Sequence, residues 1–262
     1  TNAVIVEKLA GRRLLSGMHA FWSIGCFASA GLFSVLASSG LNVTLIATLH
    51  CAIVLALLAV FGRHLLDYKS PGGEKAFAIP RGIVIVLGIL ACMSFLVEGA
   101  VMDWSGVLLT EVKNMDIALA GTGYAIFSVA MLIMRLLGDK TVQFLGEQKA
   151  VIGGSIVTAA GFALVVVLDN LYLNAFAFIL IGLGCANIVP VFYSLLKYQK
   201  DMPISAAVTS VTSLGYTGVI LGPALLGFVA HGINISAVFE LVALLLVIEA
   251  GIAKYVFCKL KM

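Results

Sequence analysis

Charged side chains are scarce in this sequence. Asp, Glu, Lys and Arg make up 11% of its 262 residues, less than half of the roughly 25% of a soluble domain. Such a chain cannot clothe a water-facing surface. Its 16 Lys and Arg are nearly balanced by 13 Asp and Glu, and no block of like charge is long enough to track a phosphate backbone, which excludes nucleic acid as a partner. The five cysteines, Cys26, Cys51, Cys92, Cys185 and Cys258, lie in or at the ends of apolar runs with no C-x-x-C pair. Neither a disulfide framework nor a thiolate metal centre is expected, and no metal or other cofactor is implied. H-E-x-x-H and G-x-S-x-G are missing, and no Ser–His combination at matching depth has a geometry that supports catalysis, so the chain is read as a non-enzyme. Period-2 alternation, the mark of a membrane barrel, is also missing.

What the sequence has is apolar length. Hydrophobic residues make up 61% of it, and the mean hydropathy is +1.12. A bilayer core about 30 Å thick asks for about 20 apolar residues per helix. Eight segments qualify, at approximately 15–38, 43–62, 82–102, 117–137, 149–168, 171–196, 204–230 and 233–257. Unpaired backbone groups are too costly in lipid for anything but helices. The expected fold class is therefore all-α, a polytopic membrane protein with eight transmembrane helices. Threading the spans alternately puts every Lys and Arg except Lys113 on one side. By the positive-inside rule that side is cytoplasmic, together with the 63–81 loop and the C-terminus.

The 63–81 segment contains Pro71, Gly72, Gly73 and Pro80 and mixes both charges, and it reads as a linker between helical bodies. The string Gly40-Leu41-Asn42-Val43-Thr44 is echoed by Gly232-Ile233-Asn234-Ile235-Ser236, each joining two spans. If spans one and two repeat as seven and eight, residues 82–262 form a six-helix half, and residues 1–62 are the remnant of another that has lost four helices. A first residue that is not Met fits a fragment. Asn42 and Asn234 stand in N-x-[ST] sequons, but each abuts a span and is read as a helix cap.

Ionisable and polar groups inside a span face a cavity or a partner by default. Glu98 is placed near the outer end of the third span, on a face shared with Ser94, as a proton- or substrate-binding carboxylate. His19 shares a stripe with Ser16 and Ser23, with Trp22 beside it, near the cytoplasmic end of the first complete span. Pro190 frees a carbonyl and bends the sixth span, which can turn Asn187 toward a cavity. Tyr216 is a substrate candidate on the seventh span, where Gly218 and Gly222 permit close packing. His50, Glu240 and Glu249 are read as packing. Arg135, Asp139 and Lys140 are placed at a short cytoplasmic turn as a conformational latch.

These residues resemble the major facilitator superfamily, and within it the bacterial fucose-permease and sugar-permease-like branch. The resemblance rests on Arg12-Arg13-Leu14-Leu15-Ser16-Gly17-Met18-His19-Ala20-Phe21-Trp22-Ser23, on Glu98-Gly99-Ala100-Val101-Met102-Asp103-Trp104-Ser105, and on Gly215-Tyr216 with Gly222-Pro223. It implies a twelve-helix fold of two six-helix halves, with this chain holding the tail of helix four and helices five to twelve. His19, Glu98, Asn187 and Tyr216 would line the central cavity. The Arg135-to-Lys140 cluster resembles the second copy of the family's gate motif, with Met134 in place of a usual glycine and Glu147-Gln148 in place of a basic pair, so a weaker latch is expected. The implied function is secondary active transport, by alternating access, of a small solute, either sugar-like or another small organic molecule, with proton coupling through Glu98 as the sharper expectation. The partners are then the solute, protons, the lipid bilayer and the missing N-terminal helices. The rival readings are efflux of drugs or metabolites on the same fold, a membrane-embedded hydrolase, and a non-transporting sensor.

The threading is tested on a cysteine-free background carrying either Lys113→Cys or Lys140→Cys. A membrane-impermeant thiol reagent is expected to label the two from opposite faces of the cell membrane.

Overall fold

The computed structural model describes residues 2–64, 79–116 and 119–260. Most of the 63–81 linker lies outside them. Among the described residues the elements are helical: α1 (Asn2–Ala10), α2 (Leu15–Ser38), α3 (Val43–Phe61), α4 (Ile83–Val107), α5 (Thr122–Leu145), α6 (Glu147–Val167), α7 (Leu171–Cys185), α8 (Ile188–Leu195), α9 (Ile204–Gly232) and α10 (Ile235–Lys259). Six stretches are long and apolar enough to cross a membrane: Val43–His64, Ile83–Val112, Glu147–Val167, Leu171–Leu195, Ile204–Gly232 and Ile235–Lys259. The protein is an all-α polytopic membrane protein.

Two boundaries differ from those expected, and both matter for the site. After α4 the chain continues as a π-type turn from Leu108 to Val112, so the helical rod runs eight residues beyond the polar Asp103-Trp104 pair that marked its expected end. Glu98 is thereby moved from the end of a helix to its middle. Likewise α5 continues through Arg135, Asp139 and Lys140 to Leu145. Arg135 is not at a cytoplasmic turn, and it is buried.

Helix starts follow the caps. Asn42 and Asn234 each accept a hydrogen bond from the backbone N–H three residues on, at Leu45 and Ala237, both at 2.8 Å. This agrees with the cap reading of both sequons. Asn170 caps α7 in the same way through Tyr172.

The core lies among α4 to α10, where α4 packs along α9, and α6 along both α7 and α10. Across the α4–α9 contact stand Gly215, facing Phe95, and Gly218, whose missing side chain leaves room for the Cys92 carbonyl. Backbones this close need a residue without a Cβ, the usual device for helix association where lipid removes the hydrophobic drive. In contrast, α3 is exposed along nearly its whole length, with Ile46 its one buried side chain. A helix that is apolar all round with so little protein against it is solvated by lipid or by further protein.

Gly218→Ala is expected to lower stability by about 1–3 kcal/mol, because the new Cβ meets backbone that cannot turn aside. Gly153→Ala on α6, where a Cβ meets nothing within 4 Å, is expected to be neutral or to stabilise by up to about 1 kcal/mol. Thermal unfolding of the two variants in the same detergent gives the comparison.

Candidate functional site

The middle of the bundle is built around Arg135 on α5. Its Nη2 donates to Glu98 Oε1 on α4 at 2.9 Å, its Nη1 to Ser23 Oγ on α2 at 3.3 Å, and its Nε to the Ala186 carbonyl at 3.3 Å. The last acceptor follows from the sequence of the α7–α8 break. Pro190 has no N–H, so the carbonyl four residues earlier, that of Ala186, loses its helical donor. The guanidinium supplies another. The ion pair is largely shielded, with side-chain exposures of 5% for Arg135 and 22% for Glu98.

Around this pair stand the other candidates. His19 lies one turn before Ser23 on α2, with Nδ1 at 2.8 Å from the Leu15 carbonyl and its ring tilted against Tyr193 at 6.2 Å. Tyr193 shares a hydrogen bond with Thr212 of α9. Tyr216 stacks on Phe95 at 5.6 Å and 15°, one turn from Glu98, and keeps 48% of its surface exposed. Trp22 is 69% exposed. Asn187 is not turned into a cavity by the helix break. It is buried against Gly138 of α5, with its Oδ1 unpartnered among the described residues. Ser94 donates not to Glu98 but to Glu249 of α10, which also takes Ser155 of α6, so that this carboxylate ties three helices together. The packing reading of Glu249 agrees with this. His50 bonds the Ile46 and Ser29 carbonyls between α3 and α2, and Glu240 is exposed.

One helical turn from Arg135, Asp139 does not pair with it. Its two oxygens accept from the backbone N–H groups of Ser16 at 3.2 Å and Gly17 at 3.0 Å. The preceding two N–H groups, of Leu14 and Leu15, go to Glu7 Oε2. Four consecutive donors at the start of α2, which a helix always leaves unpaired, are thus divided between two carboxylates. Gly138, between Arg135 and Asp139, lets α5 approach, since a Cβ there would strike Asn187 and Ser16. Lys140 faces outward.

A cluster of ion pairs adjoins this capped end. Glu147, the first residue of α6, is buried and pairs with Arg13 at 2.8 Å and Lys197 at 3.6 Å. Lys197 also pairs with Glu7 at 3.2 Å, and Ser194 donates to the same carboxylate. Burial alone would raise the Glu7 carboxyl, but the N–H of Leu14, the Ser194 hydroxyl, the Lys197 charge and the N–H of Leu15 outweigh it. They hold the group below its ordinary value of 4.5. The stability it contributes is therefore present above that value and is lost as pH falls through the lowered one. Glu147, which departs from the gate motif, supplies the anion that binds Arg13 across the bundle. The roles of Glu7, Arg13, Ser23, Gly138 and Glu147 were not assigned from sequence. The signals were a carboxylate beside buried Val4 and Ile5, and the rule that Pro190 unpairs Ala186.

A bundle of lipid-length helices with a shielded ion pair at its middle and a capped, charge-clustered end is the architecture of a polytopic membrane protein. No family model matches the chain. It is 39% identical over 256 residues to an uncharacterised MFS-type transporter of Yersinia pestis, covering 97% of this chain and 67% of that one. It is 30% identical over 255 residues to an uncharacterised transporter of Sinorhizobium fredii, covering 95% and 67%. With the membrane protein MosC of Rhizobium meliloti it shares 25% identity over 252 residues, covering 96% of this chain and 60% of that one. The chain belongs to the MFS-type transporters, the major facilitator superfamily.

Removing one partner from a shielded ion pair strands the other, at a cost of about 3–5 kcal/mol. Glu98→Gln and Arg135→Gln are each expected to destabilise the protein, and the double variant to be more stable than their sum predicts. A double-mutant cycle on unfolding free energy measures this, and additive effects would mean that the pair is not energetically coupled.

Proposed function

We propose that the protein is a secondary active transporter of the bacterial inner membrane, moving a small organic solute by alternating access, with Glu98 and Arg135 as the groups that exchange partners during the cycle. The observation that carries this reading is the shielded pair itself. Arg135 reaches from α5 to α4 through Glu98, within one expected helical half, and to α2 through Ser23, across the boundary to the other. An ion pair at mid-helix depth is expensive in a membrane, and ionisable groups retained there mark substrate or proton sites by default.

Solute would be met by the exposed face of Tyr216, stacked on Phe95, with His19 and Trp22 as further candidates along the seam. An aromatic platform beside a carboxylate and a guanidinium suits a hydroxylated or charged organic molecule, of which a sugar is one example. Further protein of the same transporter would cover the apolar surfaces of α2 and α3. Residues 63–81 and the C-terminus would face the cytoplasm. The caps that Asp139 and Glu7 place on α2, with the Arg13–Glu147 and Lys197–Glu7 pairs, act as the cytoplasmic latch, and Lys140 stands beside them.

The test is a solute panel on proteoliposomes with and without an imposed proton gradient. For a transported solute, Glu98→Gln is expected to abolish gradient-driven accumulation while solute exchange at equal pH persists. Accumulation that survives the substitution would remove Glu98 from coupling. A panel in which no solute moves would remove the transport cycle proposed here.

A further inference from the structure

At the end of the bundle where α2 begins, a cavity of about 760 Å³ opens between α1, the α1–α2 connection, the last turns of α5 and the end of α8. Five cations line it, Lys8, Arg12, Arg13, Lys140 and Lys197, against the carboxylates Glu7 and Asp139. Both carboxylates are already engaged. Asp139 caps Ser16 and Gly17, while Glu7 takes Leu14, Leu15, Ser194 and Lys197. Arg13 and Lys197 are bound in turn to Glu147. Three cations then remain in one concave space, Lys8 from α1, Arg12 from the connection and Lys140 from α5. All three are exposed, and none has an ion partner among the described residues.

A lone surface lysine needs no partner, because water solvates it. Three cations brought from separate elements to the rim of one cavity are different, since their fields add in the concave space and an anion placed there is attracted by all of them. The start of α2 is not that attraction, because its N–H groups are already capped. The position also matters. The cavity lies where α1, α5 and α8 end and α2 starts, which in a membrane-spanning bundle is the depth of the lipid headgroups. Basic pockets between transmembrane helices at this level hold phosphate-bearing headgroups.

We propose that this cavity is a binding site for a phosphate-bearing anion, held by Lys8, Arg12 and Lys140. Because Lys8 and Arg12 belong to one side of the α2–α5 contact and Lys140 to the other, the bound anion bridges the two and holds that end of the bundle closed. The inference does not depend on which solute is moved, or on any solute being moved.

The test is thermal unfolding of the detergent-solubilised full chain, titrated separately with phosphatidylglycerol, phosphatidylcholine and inorganic phosphate. Stabilisation by phosphatidylglycerol but by neither other probe assigns the site to an anionic lipid headgroup. Stabilisation by inorganic phosphate assigns it to a free phosphate compound. In either case the K8Q/R12Q/K140Q variant is expected to weaken the apparent affinity on the order of a hundredfold, at about tenfold or less per charge. A control variant with the same charge loss elsewhere, K149Q/K200Q/K254Q, and the charge-retaining K8R/K140R are both expected to bind as the parent does. Should the triple variant not fold, K8Q/K140Q serves in its place. The proposal is overturned if neither phosphatidylglycerol nor phosphate stabilises the protein, or if the control variant loses as much affinity as K8Q/R12Q/K140Q.

Discussion

A guanidinium carries five N–H donors and does not give up its proton, so a buried arginine obliges the surrounding structure to supply acceptors. In lipid that obligation is stricter, because no water stands in for a missing partner. Arg135 meets it with acceptors from three directions: the Glu98 carboxylate, the Ser23 hydroxyl and the carbonyl of Ala186. Each acceptor constrains a helix. Glu98 fixes the rotation of α4, Ser23 that of α2, and the Ala186 carbonyl is available because α7 breaks before Pro190. The break between α7 and α8 and the charge on α5 therefore explain each other. Without the proline the carbonyl would be taken by its own helix, and without the arginine it would be left unpaired.

The same helix sets the geometry one turn further on. With Gly138 permitting the approach, Asp139 reaches the first turn of α2 and takes two of its four free N–H groups, and Glu7 takes the other two. An anion at a helix start is stabilising, by about 0.3–1 kcal/mol at exposed sites and up to about 2 kcal/mol when partly buried. Neither carboxylate alone satisfies the helix end. The start of α2 is thus held jointly by the helix before it in sequence and by α5, which follows α2 by more than eighty residues.

Much of this architecture could be read from the chain, because its cause is composition. Apolar length dictates spans, Asn at a span edge dictates a cap, and a proline within a span dictates a freed carbonyl. The site was less legible for two reasons. Span ends were inferred from the nearest polar residue, and Asp103 and Lys140 were taken for interface markers when helices continue past both. That displaced Glu98 outward and Arg135 toward the cytoplasm, in opposite directions, so that a contacting pair looked like residues at opposite ends of the bundle. Partner choice was the second obstacle. Ser94 is one turn from Glu98 by spacing, yet it answers to Glu249, 155 residues away, and Arg135 and Asp139, with ideal i, i+4 spacing, each found partners on other helices. Helical spacing shows which groups can meet, but packing decides which do.

The two sets of contacts on α5 differ in how readily they can be exchanged. Capping bonds at the start of α2 are worth on the order of 1 kcal/mol each, and water entering at that end of the bundle can replace them. The Arg135–Glu98 pair has no such substitute, since separating it leaves a charge stranded at a cost of about 3–5 kcal/mol. On the reading proposed above, a movement that parts α5 from α2 and α4 therefore opens the capped end at modest cost. It stalls at the ion pair until something neutralises Glu98 or offers Arg135 another anion. A proton does the first, and a substrate bearing an acceptor does the second. Coupling then needs no long-range signal, because α5 is a single helix from Arg135 to Asp139. The inexpensive contacts near the water and the costly one at mid-membrane must part together when it moves.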